Sequence, residues 1–140
     1  MKFDTIIKAI SGVIGAVVGF LYGEISGLFI AIIALMALDY ITGILCGIAA
    51  KNLSSETGFK GLVKKLMILA IIAVGHLVDC YIIGTGSALM TAVILFFAAN
   101  EAISILENAA LLGLPIPKKL RDVLEQIKDK EDDDNGSDNV

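Results

Sequence analysis

Apolar residues fall into four long blocks along the chain, over residues 5–22, 28–50, 62–83 and 87–106, the last fading toward 112. A helix needs about 20 mainly apolar residues to cross the hydrocarbon core of a bilayer. Each block therefore predicts a membrane-spanning helix. Alternation at strand period is absent, which excludes a transmembrane barrel. A cleaved leader would show one apolar core followed by polar sequence; here apolar sequence continues to residue 112. The pattern predicts an all-α integral membrane protein with four transmembrane helices.

The breaks between blocks fit this reading. Gly23-Glu24-Ile25-Ser26 and Gly84-Thr85-Gly86-Ser87 predict tight turns, because glycine supplies the backbone freedom of a sharp reversal. Residues 51–61 form a longer middle loop, in which Ser54, Ser55 and Thr57 offer hydroxyls to cap a short helical turn. Pro115 and Pro117 end the fourth helix and close a transmembrane domain over 1–112. Leu120, Val123, Leu124 and Ile127 then recur at helical spacing, predicting an amphipathic helix within 113–130. Residues 131–140, EDDDNGSDNV, are charged and lack aromatics, so a disordered acidic tail is expected.

Composition supports a lipid environment. The chain has 140 residues, 56% of them hydrophobic, and a mean hydropathy of +0.83. A soluble domain this small leaves too much surface in water to hide that share. The formal charge of −4 belongs to the C-terminal end, where residues 122–140 carry eight acids against Lys128 and Lys130. Basic residues concentrate on the cytoplasmic side of membrane proteins. With four spans, the N-terminus, the middle loop and the C-terminus share one side. That side would hold Lys2, Lys8, Lys51, Lys60, Lys64, Lys65, Lys118, Lys119, Arg121, Lys128 and Lys130, which are all eleven Lys and Arg. The opposite turns carry only Glu24. Both termini are thus expected in the cytoplasm, with Lys118, Lys119 and Arg121 beside anionic headgroups.

Ionisable groups inside the spans are the candidate chemistry, since each costs roughly 2.5–3.5 kcal/mol at bilayer depth unless it faces protein or water. Asp39, Thr42, Gly43, Cys46 and Gly47 share one face of the second span. Asn100, Glu101, Ser104, Glu107 and Asn108 share a face of the fourth. Counting about 1.5 Å per residue puts Asp39 and Glu101 at similar depth near mid-membrane. Two readings stand for them: the faces of an aqueous lumen in an oligomer, or hydrogen bonding between helices of one bundle. His76 and Asp79, one turn apart near the outer end of the third span, read as a local pair. In the first span Ser11, Gly15, Gly19 and Gly23 recur every four residues, the spacing that lets helix backbones approach closely; Gly43 and Gly47 repeat it in the second. Cys46 and Cys80 are expected at opposite ends of their spans and so unable to pair.

Some function classes drop out. The only His lies inside a span, and no nucleophile–base pair, phosphate loop or metal-ligand spacing is visible, so no enzyme activity and no cofactor are expected. The basic residues are explained by orientation, which leaves no nucleic-acid partner to propose.

One resemblance emerges. The stretch Leu38-Asp39-Tyr40-Ile41-Thr42-Gly43, the loop running from Ser54 and Ser55 through Gly58 and Gly61 to Lys64 and Lys65, and Asp79 in the next span resemble the phage-lysis and toxin-secretion holins. The Pro117 exit and the amphipathic helix after it are similar too, so the resemblance covers roughly residues 28–127. It implies a small protein of the bacterial inner membrane that assembles with copies of itself into lesions. Such lesions would depolarise the membrane and release a cell-wall hydrolase, or export a toxin, with an antiholin as a possible further partner. Two alternatives remain open on the residues alone: a small transporter or channel subunit with an acidic relay, and a non-perforating adaptor.

Overall fold

In the computed structural model, which describes residues 2–136, the chain is a bundle of helices: α1 (Lys2–Tyr22), α2 (Gly27–Ala49), α3 (Ser55–Leu77), α4 (Ala88–Leu111) and α5 (Lys118–Gly136). α3 runs on without a break into a π-helical turn, Val78–Ile83. Four of these helices are long and apolar enough to span a membrane: Lys2–Tyr22, Gly27–Ala49, Ser55–Ile83 and Ala88–Leu111.

The spans match the hydropathy blocks except at the start of α3. This helix begins at Ser55 rather than near residue 62, so the middle loop shrinks to a few residues. Ser54 caps it, accepting a hydrogen bond from the amide of Thr57 at 3.4 Å. The segment Ser55–Gly61 is polar and holds two glycines, so hydropathy reads it as loop. Packing explains why it is helix instead. A Cβ on Gly58 would sit 3.4 Å from the Tyr40 hydroxyl, and one on Gly61 3.8 Å from the Tyr40 ring. The two glycines, three residues apart on one helix face, make the bed for that ring.

α4 is the centre of the bundle. α2, α3 and α5 all pack on it, and no residue from Leu89 to Leu106 is exposed. The apolar core joins Phe29, Ile32 and Met36 of α2, Ile68 and Ile72 of α3, and Met90 and Ile94 of α4. Lipid tails are as apolar as these side chains, so what holds the helices together is close fit and polar contact rather than expulsion of water. Gly75 supplies the closest fit. A Cβ there would lie 3.0 Å from the Cα of Met90 and 3.2 Å from its nitrogen, both of them backbone atoms that cannot swing away. Gly75→Ala is therefore expected to force α3 and α4 apart at a cost of about 1–3 kcal/mol. A melting temperature in detergent equal to that of the wild type would disprove this.

α1 stands apart. Every residue from Lys2 to Val17 is exposed. The helix is held at its far end by Tyr22, whose hydroxyl donates to the Leu69 carbonyl at 3.1 Å and whose ring meets Phe29 at 4.8 Å. Phe20 meets Tyr81 at 5.7 Å. Gly23, with φ +68°, turns the chain hard against the His76 ring, where a Cβ would come within 2.6 Å.

α5 packs back along α4. It also continues through Gly136, into the stretch read as a disordered tail; the remaining residues of that stretch, 137–140, lie outside the described residues.

Candidate functional site

The stripe of residues that each inner helix turns toward the others changes character halfway along. On α2, Phe29, Ile32 and Met36 are followed at the same helical spacing by Asp39, Thr42 and Cys46. On α4, Met90 and Ile94 are followed by Phe97, Glu101, Ser104 and Asn108. On α3, which runs the other way, Ile72 and Ile68 are followed by Lys65. The bundle is therefore apolar toward the end that holds the two glycine turns, and polar toward the end that holds the middle loop.

At the change-over lies an ionic trio. The Lys65 ammonium donates to Asp39 Oδ2 at 2.8 Å and to Glu101 Oε2 at 2.5 Å. The three side chains are 13%, 18% and 9% exposed, so the pairs are largely shielded from the surroundings. Two carboxylates share one ammonium. A second layer supports it. Asn108 donates its side-chain amide to Thr42 Oγ1 at 2.9 Å and to Asp39 Oδ1 at 3.4 Å. Thr42 donates to the Asp39 carbonyl at 3.0 Å, and Cys46 Sγ donates to the Asn108 carbonyl at 3.3 Å. Among the described residues, no buried side-chain nitrogen or oxygen lacks a partner.

A cavity of about 1240 Å³ runs from the middle loop to this trio. Gly43 and Gly47 of α2, Lys64 of α3, and Asn100 and Ser104 of α4 contribute to its wall. Beyond the trio Ile32, Ile72 and Ile94 are 0%, 0% and 2% exposed. The polar cavity thus stops at a tightly packed apolar layer.

Asp79 and His76 do not pair. Asp79 is 1% exposed and reaches α4, where its two oxygens accept from the amides of Leu89 at 3.1 Å and Met90 at 2.8 Å. Ser87, the residue placed to cap α4, makes no side-chain bond. Asp79 thus supplies, from the neighbouring helix, the negative charge that favours a helix N-terminus. His76 lies against Gly23 and 3.7 Å from Cys80 Sγ instead. Both cysteines are free.

The other candidate residues divide in the same way. Asp39, Thr42, Glu101, Asn100 and Ser104 come together at the trio and cavity. Ser11, Gly15 and Gly19 lie on the exposed face of α1, and nothing approaches within 4 Å of where a Cβ on Gly15 or Gly19 would be. Gly43 and Gly47 serve contacts within the subunit: a Cβ on Gly43 would lie 3.9 Å from Asn108, and one on Gly47 3.0 Å from Leu53. Lys51, Lys60, Lys64, Lys118 and Lys119 are exposed and Arg121 is half-buried; Lys60 pairs with Glu56 along α3. Sequence reasoning assigned Lys65 to orientation and to the family motif, not to the ionic contact with Asp39 and Glu101. Its place one turn below Ile68, on the core stripe, was the available signal that it points inward.

Four apolar spans around a buried polar layer define a multi-pass helical membrane protein. The model of the bacteriophage holin family matches residues 16–129, and the chain belongs to that family. It is 42% identical over 110 residues to an uncharacterized protein of Listeria innocua, covering 79% of this chain and 78% of the relative. It is 35% identical over 117 residues to an uncharacterized 14.9 kDa protein of Clostridium perfringens, covering 84% and 89%. It is 33% identical over 113 residues to a probable holin of Bacillus phage phi105, covering 81% and 82%. No solved structure matches it.

Proposed function

We propose that the protein acts in the bacterial inner membrane, where copies accumulate and then assemble into lesions that depolarise it and let a cell-wall hydrolase through. The observation that carries this reading is α1, an apolar helix whose face of small residues has no partner within the subunit. Such a face allows close backbone approach between helices in lipid, here between α1 helices of neighbouring copies. The family match and the phage relative named a probable holin support the same reading. Before assembly both termini lie in the cytoplasm in this scheme, in keeping with the distribution of Lys and Arg. Export of a toxin and restraint by an antiholin would use the same assembly.

Induced expression, with and without a co-expressed hydrolase that lacks a signal peptide, tests the proposal. Abrupt depolarisation, with lysis only when the hydrolase is present, is the expected result. Steady growth with the protein verified in the membrane would overturn it. Gly19→Leu is expected to delay or abolish lysis while leaving insertion and melting temperature unchanged, because a side chain there meets open space within the subunit. Lysis on the wild-type schedule would remove α1 from the assembly interface.

A further inference from the structure

The placement of α5 is at odds with a subunit surrounded by lipid. The helix packs on α4, a membrane span, yet Lys118, Lys119, Glu125, Gln126, Asp129 and Lys130 are exposed, beside a partly exposed apolar stripe of Leu120, Val123 and Ile127. Each charge facing lipid at that depth would cost roughly 2.5–3.5 kcal/mol. Charged residues are tolerated inside a membrane where they line water. α1 has the reverse character: it presents Phe3, Ile6, Ile10, Val13, Ile14 and Val17 to its surroundings. α1 packs on α3 and, through Tyr22, on α2; α5 packs on α4; the two do not touch. The subunit therefore has one flank suited to lipid or to an apolar neighbour and another suited to water.

We propose that the α4–α5 hairpin is the water-facing wall of the assembled lesion, with the outer face of α5 as its lining. This rests on the reading that copies assemble into lesions. α4 supplies the spanning element and α5 covers it, so the lumen meets hydrophilic side chains while α4 keeps its packing. In an isolated subunit no water column exists beside α4, and α5 has to leave for the cytoplasmic surface. Assembly and the folding back of α5 are then one event. Hydrophilic solutes crossing the lesion pass the charges of α5, and these charges bias which ions accompany them.

The test uses the purified full-length chain in planar bilayers under a potassium chloride gradient, with the reversal potential as readout. Glu125→Lys with Asp129→Lys is expected to shift the permeability ratio several-fold toward chloride, and Lys118→Glu with Lys119→Glu toward potassium. A conducting wild type whose ratio neither α5 pair moves would overturn the proposal and leave lesion formation standing. A wild type that inserts and never conducts would overturn lesion formation itself. A second measurement does not depend on how the variants fold. In a background with Cys46→Ser and Cys80→Ser, a charged thiol reagent is added to bilayers that already conduct. It should change the current through Glu125→Cys and not through Ile10→Cys; an unchanged current at 125 would refute the lining role.

Discussion

Lys65→Met is expected to remove most of the folded protein from detergent extracts, whereas Lys64→Met, one residue away, should be nearly silent. Among the described residues, Lys65 is the only counter-ion to Asp39 and Glu101, at 2.8 and 2.5 Å. Removing one partner of a buried ion pair costs about 3–5 kcal/mol, because the remaining charge is left uncompensated. Folded domains are stable by only about 5–15 kcal/mol, so that loss is decisive. Lys64 is exposed, and surface changes away from such networks usually stay within about 0.5 kcal/mol. Replacing all three charges together, as Lys65→Met with Asp39→Asn and Glu101→Gln, should restore much of the stability, since a neutral set carries no uncompensated charge. Thermal unfolding followed by size-exclusion chromatography distinguishes the cases. Equal melting of Lys64→Met and Lys65→Met would mean that both lysines serve orientation alone.

The trio bears on function through its position. It sits where the polar cavity meets the apolar layer. In the restored triple variant the apolar layer is untouched and the three ionisable groups are gone. Lysis timing in that variant therefore measures what those groups contribute, apart from what they do for folding.

Much of this was legible in the sequence, for identifiable reasons. Span existence follows from apolar length, which lipid demands whatever the tertiary packing; hence the agreement over α1, α2 and α4. The start of α3 was hidden because Ser55–Gly61 is too polar for a hydropathy signal, and its helicity depends on Tyr40 from another span. The spacing of the polar stripes placed Asp39 and Glu101 at one depth, and the structure joins them. Lys65 stayed hidden because a lysine near the entry of a span satisfies the orientation rule equally well whichever way it points. Asp79 was read as a neighbour of His76 because the two are one turn apart. The competing partner was a helix N-terminus ten residues further along, and no residue pattern within a single span reveals that contact. The fold-back of α5 is likewise tertiary: its apolar positions at 120, 123, 124 and 127 describe an amphipathic helix without naming the surface it meets.

Asp79→Ala is expected to loosen the end of the bundle that holds the glycine turns. Asp79 accepts hydrogen bonds from the amides of Leu89 and Met90, the latter in a fully buried setting. An N–H group left buried without an acceptor costs about 1–3 kcal/mol, and loss of the negative charge at the start of α4 adds to this. Ser87 does not provide the missing acceptor, as its side chain makes no cap bond. Asp79→Asn keeps the shape and one good acceptor oxygen but puts an NH₂ group where the second oxygen stood. The expected order of melting temperatures is therefore wild type, then Asn, then Ala. Hydrogen exchange should report the same change locally, with the Leu89 and Met90 amides exchanging faster in Asp79→Ala while amides near the trio stay protected. The alternative role for Asp79, as a carboxylate facing a lumen, predicts a different pattern: unchanged melting and exchange, with altered ion selectivity. The two outcomes are mutually exclusive in the exchange data, so that measurement decides whether Asp79 is a cap or part of the passage.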